Sequence, residues 1–268
     1  MPELRGKRWD NARAIERIAN KRIRSLDVFD TLVDDAFLVE VAKAGSLESL
    51  HISSDEVTDV GIIAIAENTP ICSLMLSGLP KVTNNCLAAI GKCRTIHEIY
   101  LEGTQINDDS LSSLREMKQL WSLSIDNSKI TDAGIRELGP NNIKLISFEN
   151  CLIEGDGFSS WKQTEKMSFY GDNSGLTDEG FAICCEAFPF LWNVIISNTE
   201  VSDAGIQCLS GQKPTMLRIN GTKITREGIQ WIVDTIPVQG LDVDEKQITA
   251  SDAERHKKSH RRLSISFL

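Results

Sequence analysis

The chain has 268 residues, of which 41% are apolar and 25% charged, and a net charge of −9. This is the composition of a globular chain and excludes a disordered tail. The acidic balance argues against a nucleic-acid binder, which needs a positive face, and no apolar run is long enough to span a bilayer. The seven cysteines are odd in number and contain no Cys-x-x-Cys pair. They are therefore expected as reduced thiols of a cytoplasmic protein, and the basic start lacks the apolar segment of a secretory signal.

Residues 1–24 carry eight Lys/Arg and three Asp/Glu. From Trp9 to Arg24, the residues Trp9, Ala12, Ile15, Ile18, Ala19 and Ile23 fall near one helical face. This predicts a basic amphipathic helix that caps whatever follows. Residues 251–268 are also basic, with five Lys/Arg and two Asp/Glu, which leaves 16 basic and 33 acidic residues in 25–250. An acidic body between basic ends is the clearest charge asymmetry of the chain.

From Leu26 onward the sequence repeats. Alternating apolar pairs occur at Leu26/Val28, Leu50/Ile52, Leu74/Leu76, Ile99/Leu101, Leu123/Ile125, Ile146/Phe148, Met167/Phe169, Val194/Ile196, Leu217/Ile219, Leu241/Val243 and Leu263/Ile265. Their spacings are 24, 24, 25, 24, 23, 21, 27, 23, 24 and 22 residues. Period two within each pair predicts a short strand with one buried face. A small polar residue follows at a turn, as at Thr104, Ser128, Cys151, Thr199 and Thr222. A helix start comes next: Thr58-Asp59, Thr131-Asp132, Thr177-Asp178 and Ser202-Asp203 each offer a capping hydroxyl and an acidic first turn. Gly61, Gly134, Gly180, Gly205 and Gly228 recur three residues after the hydroxyl. Glycine is a poor helix former, so its return there predicts close approach of a neighbour. The unit at Ile146 has Gly155-Asp156-Gly157-Phe158 in place of the helix start, so only a fragment of helix is expected there; two extra residues are expected to bulge within 171–175.

Units such as Ile196–Ile206 (ISNTEVSDAGI) resemble the leucine-rich repeat family over about nine-tenths of the chain, most closely its short intracellular type. The resemblance implies an α/β solenoid with parallel strands on a concave face and helices on the convex face, about 11 units filling 25–268. The cysteine-containing repeats of F-box adaptors look similar. That suggests a substrate-recognition adaptor in ubiquitin ligation as one alternative, although 24 residues before the first unit are too few for an F-box-sized module.

Other motifs compete with this reading. Leu26–Leu32 (LDVFDTL) resembles the first motif of the haloacid dehalogenases, with Asp27 in the place of that family's nucleophile, and offers a hydrolase as the second alternative. The repeat phase accounts for the same residues. His256 and His260 share a helical face but form no complete metal set, and Lys257 and Lys258 between them point to a solvated basic helix. Cys184-Cys185 is expected as buried apolar filling. No phosphate or dinucleotide loop is present, so no cofactor and no catalytic residue is assigned.

Alternation places Asp27, His51, Met75, Tyr100, Ser124, Ser147, Ser168, Ile195, Arg218, Asp242 and Ser264 on the open strand face. Within it, His97, Glu98, Tyr100, Glu102, Trp121, Asp126, Glu149 and Tyr170 set aromatics among carboxylates, the pattern of a partner-binding surface. The expected function is a non-enzymatic scaffold that binds a protein with a basic surface, without nucleic acid or membrane. At the C-terminal edge strand, Arg261–Leu268, either Asp252–His260 folds back over the edge or two chains meet in a weak homodimer, and the homodimer is expected.

Overall fold

The computed structural model describes residues 2–19, 21–259 and 263–267. They divide into two compact units, Met1–Ile130 with Asn141–Ile143, and Thr131–Pro140 with Lys144–Leu268. The first contains β1 (Glu3–Arg5), α1 (Asn11–Ile18), β2 (Ser25–Phe29), α2 (Asp35–Lys43), β3 (Ser49–Ser53), α3 (Asp59–Asn68), β4 (Ser73–Ser77), a 3-10 turn (Asn84–Cys86) leading into α4 (Leu87–Ile90), β5 (Glu98–Glu102), a 3-10 segment (Asp108–Leu114) and β6 (Ser122–Ser124). The second contains α5 (Asp132–Leu138), β7 (Leu145–Ser147), a 3-10 turn (Asp156–Phe158), β8 (Met167–Tyr170), α6 (Asp178–Ala187), β9 (Leu191–Ile195), α7 (Asp203–Ile206) with a 3-10 turn (Gln207–Leu209), β10 (Met216–Arg218), α8 (Arg226–Thr235), β11 (Gly240–Val243), α9 (Ala250–Ser259) and β12 (Ser264–Phe267). Within each unit every strand pairs parallel with the next in chain order, which is solenoid winding. Such winding has no reversal of strand order, so the described residues do not form the doubly wound sheet of a dehalogenase, and Asp27 stands mid-strand among ladder residues.

The recurring motif has a concrete cause. Thr58, Thr131, Thr177 and Ser202 cap their own helices by accepting from Val60, Ala133, Gly180 and Ala204 N–H. The Asp beside each cap serves the following repeat. Asp35 accepts from Thr58 N–H at 2.8 Å, Thr58 Oγ1 at 2.6 Å and Gly61 N–H at 3.0 Å. Asp59 does the same for Thr83, Asp178 for Ser202 and Asp203 for Thr225. The glycine follows from this arrangement, since a Cβ at Gly61 would lie 2.7 Å from Asp35 Oδ1 and one at Gly228 2.0 Å from Asp203 Oδ1. Turn hydroxyls close each strand by donating to the carbonyl three residues back, as Thr199 does to Ile196 and Thr222 to Ile219.

Residues 1–24 are more than a capping helix. Glu3–Arg5 pairs with β2, Leu4 is fully buried, and the helix runs only over Asn11–Ile18. Asn11 starts that helix and accepts from Asp34 N–H at 3.0 Å, the role that Asp35 plays one repeat later. The segment is thus a degenerate repeat in its own right.

The register corrects two repeat pairs. Phe169 aligns with Ile146 and Val194, and Ile265 with Leu241, so the pairs are Phe169/Gly171 and Ile265/Phe267. The outlying spacings of 21, 27 and 22 then disappear: the intervals around Phe169 are 23 and 25, and the last is 24. Met167 and Leu263 are themselves buried and apolar, which is why each read as the first member of its pair. Tyr170 and Ser266 therefore hold the ladder positions expected of Ser168 and Ser264. The irregularity between β8 and β9 falls at Met167/Ser168 rather than within 171–175.

Below the strands of the second unit, Phe148, Phe158, Trp161, Phe169, Phe181 and Phe188 form a continuous ring cluster, with centroids 5.1 Å apart for Phe148–Phe169 and 5.4 Å for Phe158–Phe188. It lies where the helix is reduced to Asp156–Phe158, as the missing helix start predicts. The cysteine reading is corrected in part: Cys185 of α6 and Cys208 are joined by a disulfide, their Cα atoms 5.9 Å apart. The residues are 23 positions apart, one repeat, so stacking brings them together without any local motif. Cys184 is buried as expected. His256 is buried as well, which overturns the solvated-helix reading of α9, and His260 lies outside the described residues. On the C-terminal strand Leu263 and Ile265 are buried but Phe267 is 36% exposed.

Candidate partner-binding face

In the first unit the face of the sheet turned away from the helices is organised by the alternation of buried and half-buried residues on β2 to β5. Register partners Asp27, His51, Met75, Tyr100 and Ser124 form one row across five strands. Six of the eight sequence-predicted residues belong to this unit. Glu98 and Glu102 flank Tyr100 on β5, His97 precedes that strand, Trp121 precedes β6 and Asp126 follows it. Trp121 is 40% exposed and His97 is exposed.

Neutral donors hold the carboxylates. Ser73 Oγ donates to Glu98 at 2.8 Å, Asn127 Nδ2 to Glu102 at 3.0 Å, and Ser124 Oγ to Asp126 at 2.7 Å. Neither Glu98 nor Glu102 is in an ion pair among the described residues. Ser122 and Ser124 are buried rather than solvent-facing; Ser122 Oγ reaches the Tyr100 hydroxyl at 3.4 Å, so the larger neighbours cover these small side chains.

Toward β1, His51 of this row meets Phe29 and Arg5, register partners in the adjacent row that no motif singled out. The Phe29 and His51 rings meet edge to face, 4.1 Å between centroids, and the Arg5 guanidinium lies 4.7 Å from the Phe29 ring. Burial pushes the His51 imidazole below its ordinary value, assisted by Arg5 and opposed by Asp27 and Glu102. Only the side-by-side register of β1, β2 and β3 reveals this cluster, because its members come from three repeats.

Glu149 and Tyr170 lie on the second unit. Tyr170 stands in register with Ser147 and Ile195, and Glu149 follows β7 half-exposed. On this second face Arg218 pairs with Asp242 at 3.0 Å. Asp172 accepts the Ser197 N–H at 2.6 Å, and burial pushes its carboxyl up.

No family model matches the sequence. The fold is similar to solved structures. A crystal structure of the Rad7 and Elc1 complex from yeast superposes with a TM-score of 0.66 at 17% identity, covering 96% of this chain and 71% of that one. Internalin C2 from Listeria monocytogenes str. 4b F2365 superposes with a TM-score of 0.54 at 15% identity, covering 78% of this chain and 83% of that one. The chain thus has the leucine-rich-repeat solenoid fold. No helix among the described residues is long and apolar enough to cross a membrane.

Proposed function

We propose that this chain is a non-catalytic scaffold of the short intracellular leucine-rich-repeat type, which binds a protein partner through the open sheet face of its first unit. The partner presents Lys or Arg side chains to Glu98, Glu102 and Asp126, and an apolar stem or ring to Tyr100 and Trp121, with His97 at the margin. One observation carries this reading: Glu98 and Glu102 bracket Tyr100 and, among the described residues, are held only by the neutral Ser73 and Asn127 donors. Their charge is fixed in position and left available to a cation from outside, which favours electrostatic steering. Glu149 and Tyr170 offer the same residue types on the second unit's own face. The yeast structure supports the general role, because Rad7 is there in complex with another protein.

A randomised 15-residue peptide array, probed with the whole chain and with the E102K/D126K variant, tests the reading. Enrichment of Lys/Arg-rich sequences, with affinity falling about tenfold in the variant and with rising salt, is the expected result. Selection of neutral or acidic sequences, or binding indifferent to both changes, overturns it.

A further inference from the structure

The second unit carries an aromatic shelf of opposite charge character at its strand entries. Met167 pairs with Leu191 and Ser168 with Asn193, so β9 has one residue more than β8 at this point, and the extra residue is Trp192. A bulge of this kind re-aims a side chain. Trp192 is 39% exposed, Phe190 two residues earlier is 55% exposed, and Lys166 Nζ sits 3.6 Å from the Trp192 ring centroid.

Three successive entry loops are tied together beneath these side chains. Gln163 N–H donates to Ala187 O at 2.9 Å, Met167 N–H to Phe190 O at 3.0 Å and Thr215 N–H to Trp192 O at 2.7 Å. The side chain of Gln212 bridges further by accepting from Leu191 N–H at 3.1 Å and donating to Cys185 O at 3.2 Å. On this fixed base Lys162 and Lys166 stand on the first loop, Phe190 and Trp192 on the second and Lys213 on the third, all exposed. Lys162, Lys166 and Lys213 make no ion pair among the described residues, while Glu165 on the first loop is already engaged by Lys144 at 2.5 Å.

We infer that this shelf is a second docking surface, and that its occupant is an acidic protein segment with an aromatic or aliphatic side chain between its carboxylates. The three lysines require negative charge on the partner, and two exposed rings on an ordered base give the apolar anchor that interface centres use. A nucleic acid fits less well, since a continuous polyanion is repelled by a body with 33 acidic against 16 basic residues over 25–250, whereas a short peptide brings only a few charges. This inference is independent of the proposed role of Glu98 and Glu102.

Panning a randomised 12-residue peptide display library on the whole chain tests it, with W192A and K166E/K213E as comparison baits and E102K/D126K as control. The expected winners pair Asp or Glu with a Phe, Trp or Leu, lose at least tenfold in affinity for either comparison bait and bind the control unchanged. The W192F chain should retain most of the affinity, and melting curves matching the parent show that the baits are folded. The inference is overturned if no selected peptide depends on Trp192, if the dependent ones are basic, or if an oligouridylate or phosphatidylserine vesicles bind the shelf more tightly than the selected peptides.

Discussion

The two units fill their interiors differently. Beneath the strands of the first unit lie mostly aliphatic side chains such as Leu38, Ile62, Ile65 and Leu87, delivered by the helices of its repeats. Beneath those of the second lie six interlocking aromatic rings where one helix has shrunk to a three-residue turn. A repeat can therefore lose its helix if a larger side chain takes up the vacated volume, because interiors tolerate exchange of shape at constant packing density.

The strongest way to break that comparison is at Phe158, the only aromatic contributed by the short turn itself. F158A is expected to cost about 4 kcal/mol, against about 3 kcal/mol for Ile65→Ala in the first unit, read as midpoint shifts in urea denaturation followed by circular dichroism. Equal or reversed costs would show that the rings are not what replaces the helix.

Next in size are the close glycines. A Cβ at Gly180 would lie 1.7 Å from Glu154 O, a backbone atom, whereas at Gly61 the nearest atoms, each at 2.7 Å, are the side-chain ends of Leu38, which can swing away, and of Asp35, which needs to yield by only a few tenths of an ångström. G180A should therefore destabilise by about 3 kcal/mol and G61A by about 1 kcal/mol in the same denaturation assay. The contact of α6 with the irregular repeat before it would then be less tolerant than the regular contact between α2 and α3.

A third measurement sharpens the account of the first unit. D35A removes the acceptor for Thr58 N–H, Thr58 Oγ1 and Gly61 N–H and is expected to cost about 2 kcal/mol. Faster amide exchange should be confined to residues around 58–61 and not spread through α2, whose own cap is Asp34. Exchange rising equally in α2 would contradict the assignment of Asp35 to its neighbour.

The smallest expected effect concerns pH. The His51 imidazole is held below its ordinary value of 6.5, with burial the largest cause. The unfolded chain therefore binds the proton first, and stability falls as pH drops through 6.5 toward the depressed folded value, then levels off. Comparing melting temperatures at pH 7.5 and 5.5 should show a shallow loss in the parent that is reduced in H51Q.

The repeat grammar was legible because it is local: the alternating strand, the capping hydroxyl, the Asp and the Gly all fall within about twenty residues. The phase failed at Met167 and Leu263, where an apolar entry residue is buried as deeply as a true ladder residue. At Gly171 the expected second apolar side chain is missing altogether, and the Phe148 ring fills its space, with a Cβ there only 2.7 Å from ring carbons. That substitution crosses repeats and leaves no signal in the unit that lacks the side chain. The same limit hid the Cys185–Cys208 bond, the Arg5–Phe29–His51 cluster and the Trp192 bulge, since each is a relation between residues of different repeats. Tyr100 and the carboxylates around it were visible because they sit on one strand and its neighbour.

The Asp-to-next-repeat contacts also give each unit a direction in time. Where one repeat of a pair is absent, water solvates both the carboxylate of Asp35, Asp59, Asp178 or Asp203 and the N–H groups it would accept from, so each contact is completed only when both repeats are in place. A growing polypeptide emerges amino end first, so every newly made Thr or Ser turn meets an acceptor already in place. During synthesis these contacts therefore close in chain order, one repeat after another.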